Sequence, residues 1–197
     1  MQAQTTTAAK KTIRQRVVAM RDALSIRERS QQSGAITAHL LALPAFAQAQ
    51  TVAAYASFKS ELDTDEFLKA VLQQGKRLLL PRIDPERREL SFFLVSSLGD
   101  SFLAGPWGIR EPDPARCVEA DMSEIDFMLV PGVAFTRRCE RLGYGGGFYD
   151  AAIGNTRDDA AKVAAAFDVQ IVDALPVELH DRRVELVVTQ GAFFSAE

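Results

Sequence analysis

The stretch Arg141-Leu142-Gly143-Tyr144-Gly145-Gly146-Gly147-Phe148-Tyr149-Asp150 concentrates residue types that can handle a phosphorylated ligand. Glycines reach positive φ, so successive backbone N–H groups can converge on an anion and a bulky ligand can approach the main chain. Arg141 offers a planar fork of donors for phosphate. Asp150 offers a hard oxygen ligand, and Mg²⁺ uses one or two carboxylates together with phosphate oxygens. Phe148 to Gly154 is expected to begin a helix, whose N-terminus favours phosphate. Together these groups point to a Mg–nucleotide site. For the glycines alone, a tight turn between strand and helix is the alternative. The familiar phosphate signatures do not apply. Phe148 stands where GxGxxG needs its third glycine, and no Gly-Lys-Ser/Thr follows as a P-loop requires.

Other candidates lie far off in the chain. Lys10 and Arg14 are one helical turn apart, so they can face one ligand or form a solvated basic face. Glu61 follows an expected strand and precedes Asp63, the expected cap of the next helix, which leaves a carboxylate at a crevice. Asp181 alone reads as a helix cap or a solvent-facing acid. His180-Asp181 does not extend to a hydrolytic triad, because no serine or cysteine has a nucleophile's context. Trp107 offers either an aromatic wall for a ligand or a half-buried core ring.

These groups need a scaffold. Two helices are expected to open the chain, the second capped by Ser25 with Glu28 closing a capping box. The start, rich in Thr, Ala and Arg with no acid before Asp22, has the composition of a transit peptide. The helical spacing of Ile13, Val17, Met20 and Leu24 favours a surface helix. Strands are expected at 51–58, 77–81, 89–95 (nearer an edge), 125–135, 162–167 and 184–189. A helix is expected over 63–75, with Asp63 as cap, Glu66 closing a box and Gly75 as stop. Short apolar strands alternating with helices give an α/β fold: one domain, a largely parallel sheet covered by helices on both faces, Rossmann-like and three-layered. Ligands of such sheets sit beyond the carboxyl ends of the strands, which selects loops 57–63, 131–150 and 168–183.

The 197 residues suit a single domain, 47% are hydrophobic and the formal net charge is −3. That balance gives no support for a nucleic-acid or membrane-surface partner, so an anionic ligand needs a local positive site. No apolar run approaches the roughly 20 residues of a membrane span. Cys117 and Cys139 lack metal or CxxC spacing and read as free thiols in a reducing cytoplasm.

Five segments, in order, resemble the 5-formyltetrahydrofolate cyclo-ligase family. They are the N-terminal basic helix with Lys10 and Arg14, SFKSELDT, GPWGIREP, PGVAFTRRCERLGYGGGFYD and AFDVQIVDALPVELHD. The resemblance covers nearly the whole chain. It implies one α/β domain over 1–197, with a helical segment at about 5–42 contributing to the ATP site. It also implies an ATP- and Mg²⁺-dependent conversion of 5-formyltetrahydrofolate to 5,10-methenyltetrahydrofolate, releasing ADP and phosphate. In that reaction the formyl oxygen attacks the γ-phosphate, N10 attacks the resulting iminium phosphate, and loss of phosphate closes the ring. Such chemistry asks the protein for positioning and charge stabilisation, and no residue is assigned as nucleophile.

By resemblance, ATP is held by Lys10, Arg14, Arg141, Leu142, Gly143, Tyr144, Gly145, Gly146, Gly147, Phe148 and Tyr149. The folate is bordered by Ala56, Glu61, Trp107 and Tyr144 to Phe148, and Mg²⁺ is held by Asp150 and Asp181. A cytoplasmic monomer is expected. Many members carry Lys or Arg within the glycine loop and Arg after Tyr-Asp, where this chain has Tyr144, Gly146 and Ala151, and Glu185 replaces a frequent aspartate. A non-catalytic folate and nucleotide binder of the same fold is the alternative function. A phosphosugar isomerase or acyl-carrier transferase leaves the Lys10/Arg14 match unexplained, and a Rossmann dehydrogenase lacks its glycine fingerprint.

Overall fold

The computed structural model describes residues 2–84, 86, 89–99 and 102–196, without the side chains of residues 2–5 and Trp107. Its centre is an eight-stranded mixed sheet. The strands are β1 (Thr51–Ala53), β2 (Arg77–Asp84), β3 (Glu89–Val95), β6 (Val118–Ala120), β7 (Phe127–Val130), β10 (Ala161–Ala165), β11 (Leu186–Val188) and β12 (Phe193–Ser195). Two hairpins lie outside it: β4 (Phe102–Ala104) with β5 (Arg110–Pro112), and β8 (Ala134–Phe135) with β9 (Arg141–Leu142). The sheet order is β12-β11-β10-β7-β1-β2-β3-β6. Pairings from β11 to β2 are parallel, and those at both ends are antiparallel. The expected largely parallel α/β sheet is thus present, with antiparallel margins at β12 and at β3 and β6.

Side chains alternate between the faces of the sheet, as the strand repeat of two requires. Val52, Leu78, Leu80, Phe127 and Leu129 enter one core with α2 (Ile26–Leu41), α3 (Pro44–Gln48) and α4 (Asp65–Gln73). Ala53, Leu79, Met128 and Val130 enter the other, with α5 (Phe148–Asn155). Burial on both faces explains why these strands read as continuous apolar runs. α1 (Gln2–Asp22) packs on neither core. Its Val17 meets Val133, Ala134 and Leu142 of the β8–β9 hairpin.

The capping box at Ser25 and Glu28 is present as expected, and Gly75 ends α4 at φ +71°. Two local expectations fail around a single side chain. Buried Thr64 donates its hydroxyl to the Tyr55 carbonyl at 2.8 Å and accepts from the Ser57 N–H at 3.0 Å. The chain therefore leaves the sheet after Ala53 instead of continuing to 58. Thr64 is also the N-cap of α4, without a side-chain cap bond. Asp63 accepts from the Asp65 N–H, and Glu66 pairs with Lys69 at 2.6 Å instead of closing a box.

Asp126 pins β1 to β7. Its Oδ2 accepts from the Gln50 and Thr51 N–H groups, both at 2.8 Å, and its Oδ1 from Arg157 at 2.9 Å. Burial works against the charge, but those N–H groups and Arg157 hold the carboxyl below the usual carboxylate range. Asp126→Ala is expected to cost about 2 kcal/mol, read as a lower urea midpoint with unchanged slope. Because the folded-state value is the depressed one, this stabilisation is present above about pH 4 and is lost as pH falls through the folded value.

Candidate active site

β10, β7 and β1 are adjacent, and their carboxyl ends launch the three loops that carry the candidate residues. The chain leaves β1 through α4 on one face and β7 through α5 on the other. The crevice therefore opens at a topological switch point, where open α/β sheets bind ligands.

α1 closes this crevice through one face. Lys10, Arg14, Val17 and Arg21 recur at spacings of four, three and four, and three of them are buried. Met20, expected on the buried stripe, is instead 44% exposed. Lys10 Nζ lies 2.6 Å from Glu178 Oε2 and 2.9 and 2.7 Å from the two oxygens of Asp181. Burial alone would lower the Lys10 pKa, but the two carboxylates outweigh it and raise it. Arg14 Nε donates to the Gly143 carbonyl at 2.7 Å.

The glycine loop is built around its own neighbours. Gly145 and Gly147 have φ of +104° and +74°, a region that side chains penalise. A Cβ on Gly146 would sit 2.4 Å from the Phe148 ring, and one on Gly143 would sit 2.8 Å from the Arg141 guanidinium. Gly147 caps α5 without a side-chain acceptor, so the first N–H groups of that helix point to the crevice unsatisfied by a cap. Arg141 donates to Asp150 Oδ1 at 2.6 Å and to the Pro131 carbonyl at 3.4 Å. Its side chain is only 2% exposed. Its Nε and the Tyr149 hydroxyl are buried without a hydrogen-bond partner among the described residues. Two buried orphan donors call for an acceptor from a ligand. Leu142 points instead into the packing against α1.

Of the two metal candidates, Asp150 lies beside the residue that follows Asp181, because the Arg182 N–H donates to Asp150 Oδ1 at 3.0 Å, but it is not part of the cluster of ligand atoms around Asp181. The hard oxygens of both suit Mg²⁺. Each already holds a cationic side chain, so a metal would share or displace Arg141 and Lys10. The structure adds two groups that sequence spacing did not indicate. Ligand atoms of Glu178, His180 and Asp181 lie within 4.8 Å of one another.

On the other side of the crevice, Tyr144 donates to Glu61 Oε1, while Glu61 Oε2 accepts from the Phe58 N–H at 2.9 Å. Buried Ala56 leads into that loop. The Trp107 side chain lies outside the described residues. Its hairpin tip nevertheless approaches this loop, since a methyl group on Gly108 would touch the Phe58 ring at 4.0 Å. All three tyrosines of the chain gather here. Burial, then Glu61, pushes the Tyr55, Tyr144 and Tyr149 hydroxyls up, which keeps them protonated donors. Tyr55 and Arg21 escaped the sequence reading because an aromatic in a strand and a basic helix residue carry no spacing signal.

Comparison with known proteins shows the family. The family model described as 5-formyltetrahydrofolate cyclo-ligase matches residues 6–190. The Escherichia coli K12 protein named 5-formyltetrahydrofolate cyclo-ligase is 33% identical over 178 residues, 90% of this chain and 96% of that one. The Mus musculus protein of the same name is 27% identical and covers 98% of each chain. The solved Aquifex aeolicus 5,10-methenyltetrahydrofolate synthetase superimposes with a TM-score of 0.83 at 32% identity, over 95% of this chain and 93% of that one. With a family model matched over most of its length, and with matching coverage and fold, the chain belongs to the 5-formyltetrahydrofolate cyclo-ligase family.

Proposed function

We infer that the protein converts 5-formyltetrahydrofolate to 5,10-methenyltetrahydrofolate, consuming ATP and releasing ADP and phosphate. The observation that carries this reading is the convergence of α1 cations, glycine loop, paired carboxylates and Glu61 beyond three adjacent strands. A passive binder of the same ligands would not need groups aimed at the junction of nucleotide and folate. Arg141 Nε and the Tyr149 hydroxyl, buried without a hydrogen-bond partner among the described residues, are the candidates for that role.

In this reading one domain spans 1–197. Lys10 and Arg14 turn their charge toward the phosphates, and the N–H groups of Gly143 to Phe148 supply donors that need no reorganisation. Asp150 and Asp181 would hold Mg²⁺, which when bound offsets phosphate charge. Arg141 and Tyr149 donate to the oxygen on which charge develops as the formyl oxygen attacks the γ-phosphate. Glu61 accepts N–H groups of the folate and fixes N10 for ring closure, and Ala56 leaves room for the ring system. Trp107 would wall the folate side. One chain supplies every group named, so no second subunit is required. Cys117 and Cys139 are buried thiols, in keeping with a reducing cytoplasm. No helix among the described residues is long and apolar enough to cross a membrane.

With Mg–ATP, the purified protein is expected to form the methenyl product, followed by its absorbance, with one ADP per product. ATP loss at the same rate with and without 5-formyltetrahydrofolate would overturn the reading, because the formyl oxygen is the nucleophile.

A further inference from the structure

Arg21 is a buried cation, 3% exposed, that the reaction as described does not use. Its Nε donates to the Ser60 hydroxyl at 3.1 Å and its NH1 to the Tyr144 hydroxyl at 3.0 Å. Both hydroxyls continue to a carboxylate, Ser60 to Asp22 and Tyr144 to Glu61. The direction of every bond is forced. A guanidinium can only donate and an ionised carboxylate can only accept, so each hydroxyl must turn its single proton away from Arg21. One charge thus orients two protons, and the Tyr144 proton is delivered to Glu61 Oε1. The guanidinium also lies 6.0 Å from the centre of the Tyr144 ring, within reach of its π face. Tyr144 itself is 53% exposed and sits in a glycine-rich segment, so its ring is held by Arg21 and Glu61 more than by packing.

We propose that Arg21 is a positioning residue for the folate side of the site, acting through the Tyr144 hydroxyl on Glu61. It joins α1, the glycine loop and the 57–63 loop, and steers Glu61 Oε1 through Tyr144, while the Phe58 N–H holds Oε2. The proposal rests on Glu61 being a folate ligand, as inferred above. A lysine cannot replace the arginine, because one ammonium on a flexible stem does not reproduce the fork that spans both hydroxyls.

The test measures KM for 5-formyltetrahydrofolate and for ATP in Arg21→Gln, Tyr144→Phe and the double variant. Each single change is expected to raise the folate KM roughly ten-fold, the loss of one charge-assisted bond, and to move the ATP KM less than two-fold. The double variant should be no worse than the worse single one, because both cut one chain. Effects that multiply, or an equal rise in both KM values, would overturn the proposal. Should Arg21→Gln fold poorly, Arg21→Lys keeps the buried charge and is read in the same cycle, with only partial recovery expected. Glu61→Gln separates the two levels. An unchanged folate KM there removes Glu61 as a ligand and the proposal with it. A raised KM beside additive Arg21 and Tyr144 effects removes the proposal alone.

Discussion

Gly146→Val should abolish nearly all turnover while leaving a folded protein. A valine Cβ would lie 2.4 Å from the Phe148 ring, so either the ring or the loop backbone must move. Overpacking of this kind costs about 1–3 kcal/mol of stability. The larger effect falls on rate. Phe148 opens α5, and its neighbours Tyr149 and Asp150 carry the orphan hydroxyl and the Arg141 counter-ion. A displacement of about 1 Å in such groups is worth roughly 100-fold in rate. The double variant Gly146→Val/Phe148→Ala distinguishes two causes. It makes room for the valine and should recover melting temperature. If turnover also returns, Gly146 serves only the Phe148 ring. If turnover stays low, the backbone at 146 lies against the ligands. A destabilised Gly146→Val protein whose folded fraction works at the normal rate would refute the phosphate-cradle reading.

Lys10→Ala should raise the ATP requirement by about 10- to 150-fold, the equivalent of the roughly 1.5–3 kcal/mol of a hydrogen bond to a charged group. The folate requirement should change far less. The ion cluster adds a second, opposite expectation. Lys10 stands between Glu178 and Asp181, and without it their like charges face each other uncompensated. Asp181 is then freed for a divalent cation, so the Mg²⁺ concentration for half-maximal rate should fall or stay level while that for ATP rises. Kinetics at varied Mg²⁺ and fixed free ATP measure this. A parallel rise in both requirements would show that Lys10 matters only for holding α1 in place.

Ser25, Gly75 and the paired apolar runs were legible because capping and two-faced burial act within a few residues. The strand at 51–58 was overread because Thr64, outside the window, claims the Tyr55 carbonyl. Strands β4, β5, β6, β9 and β12 have two or three residues each, too few for a period to register, and the run expected over 125–135 divides into β7 and β8. The site divides in the same way. Arg141 to Asp150 is contiguous, so its chemistry could be read directly. Lys10 and Asp181 are 171 residues apart and needed the family resemblance to be linked. Glu178 and Arg21 matter only through partners that folding brings to them, and nothing local announces them. The spacing of Ile13, Val17, Met20 and Leu24 did find the helix. It missed the inward face because that face is mostly cationic, and a hydrophobic pattern does not count lysine and arginine as buried.

The bonds of α1 also set a timetable for synthesis. Its cations wait for Gly143, Tyr144, Glu178 and Asp181, which follow by 129, 123, 168 and 171 residues. At about 5–20 residues per second on the ribosome, the helix is in the open for on the order of ten seconds before its last anchor emerges. Val17 has no apolar wall until residues 133–142 are made, and Lys10 lacks its carboxylates until residues 178–181 are made. The cationic stripe then does a second job: it keeps the waiting helix soluble, where an apolar stripe of the same length would invite capture by other nascent chains.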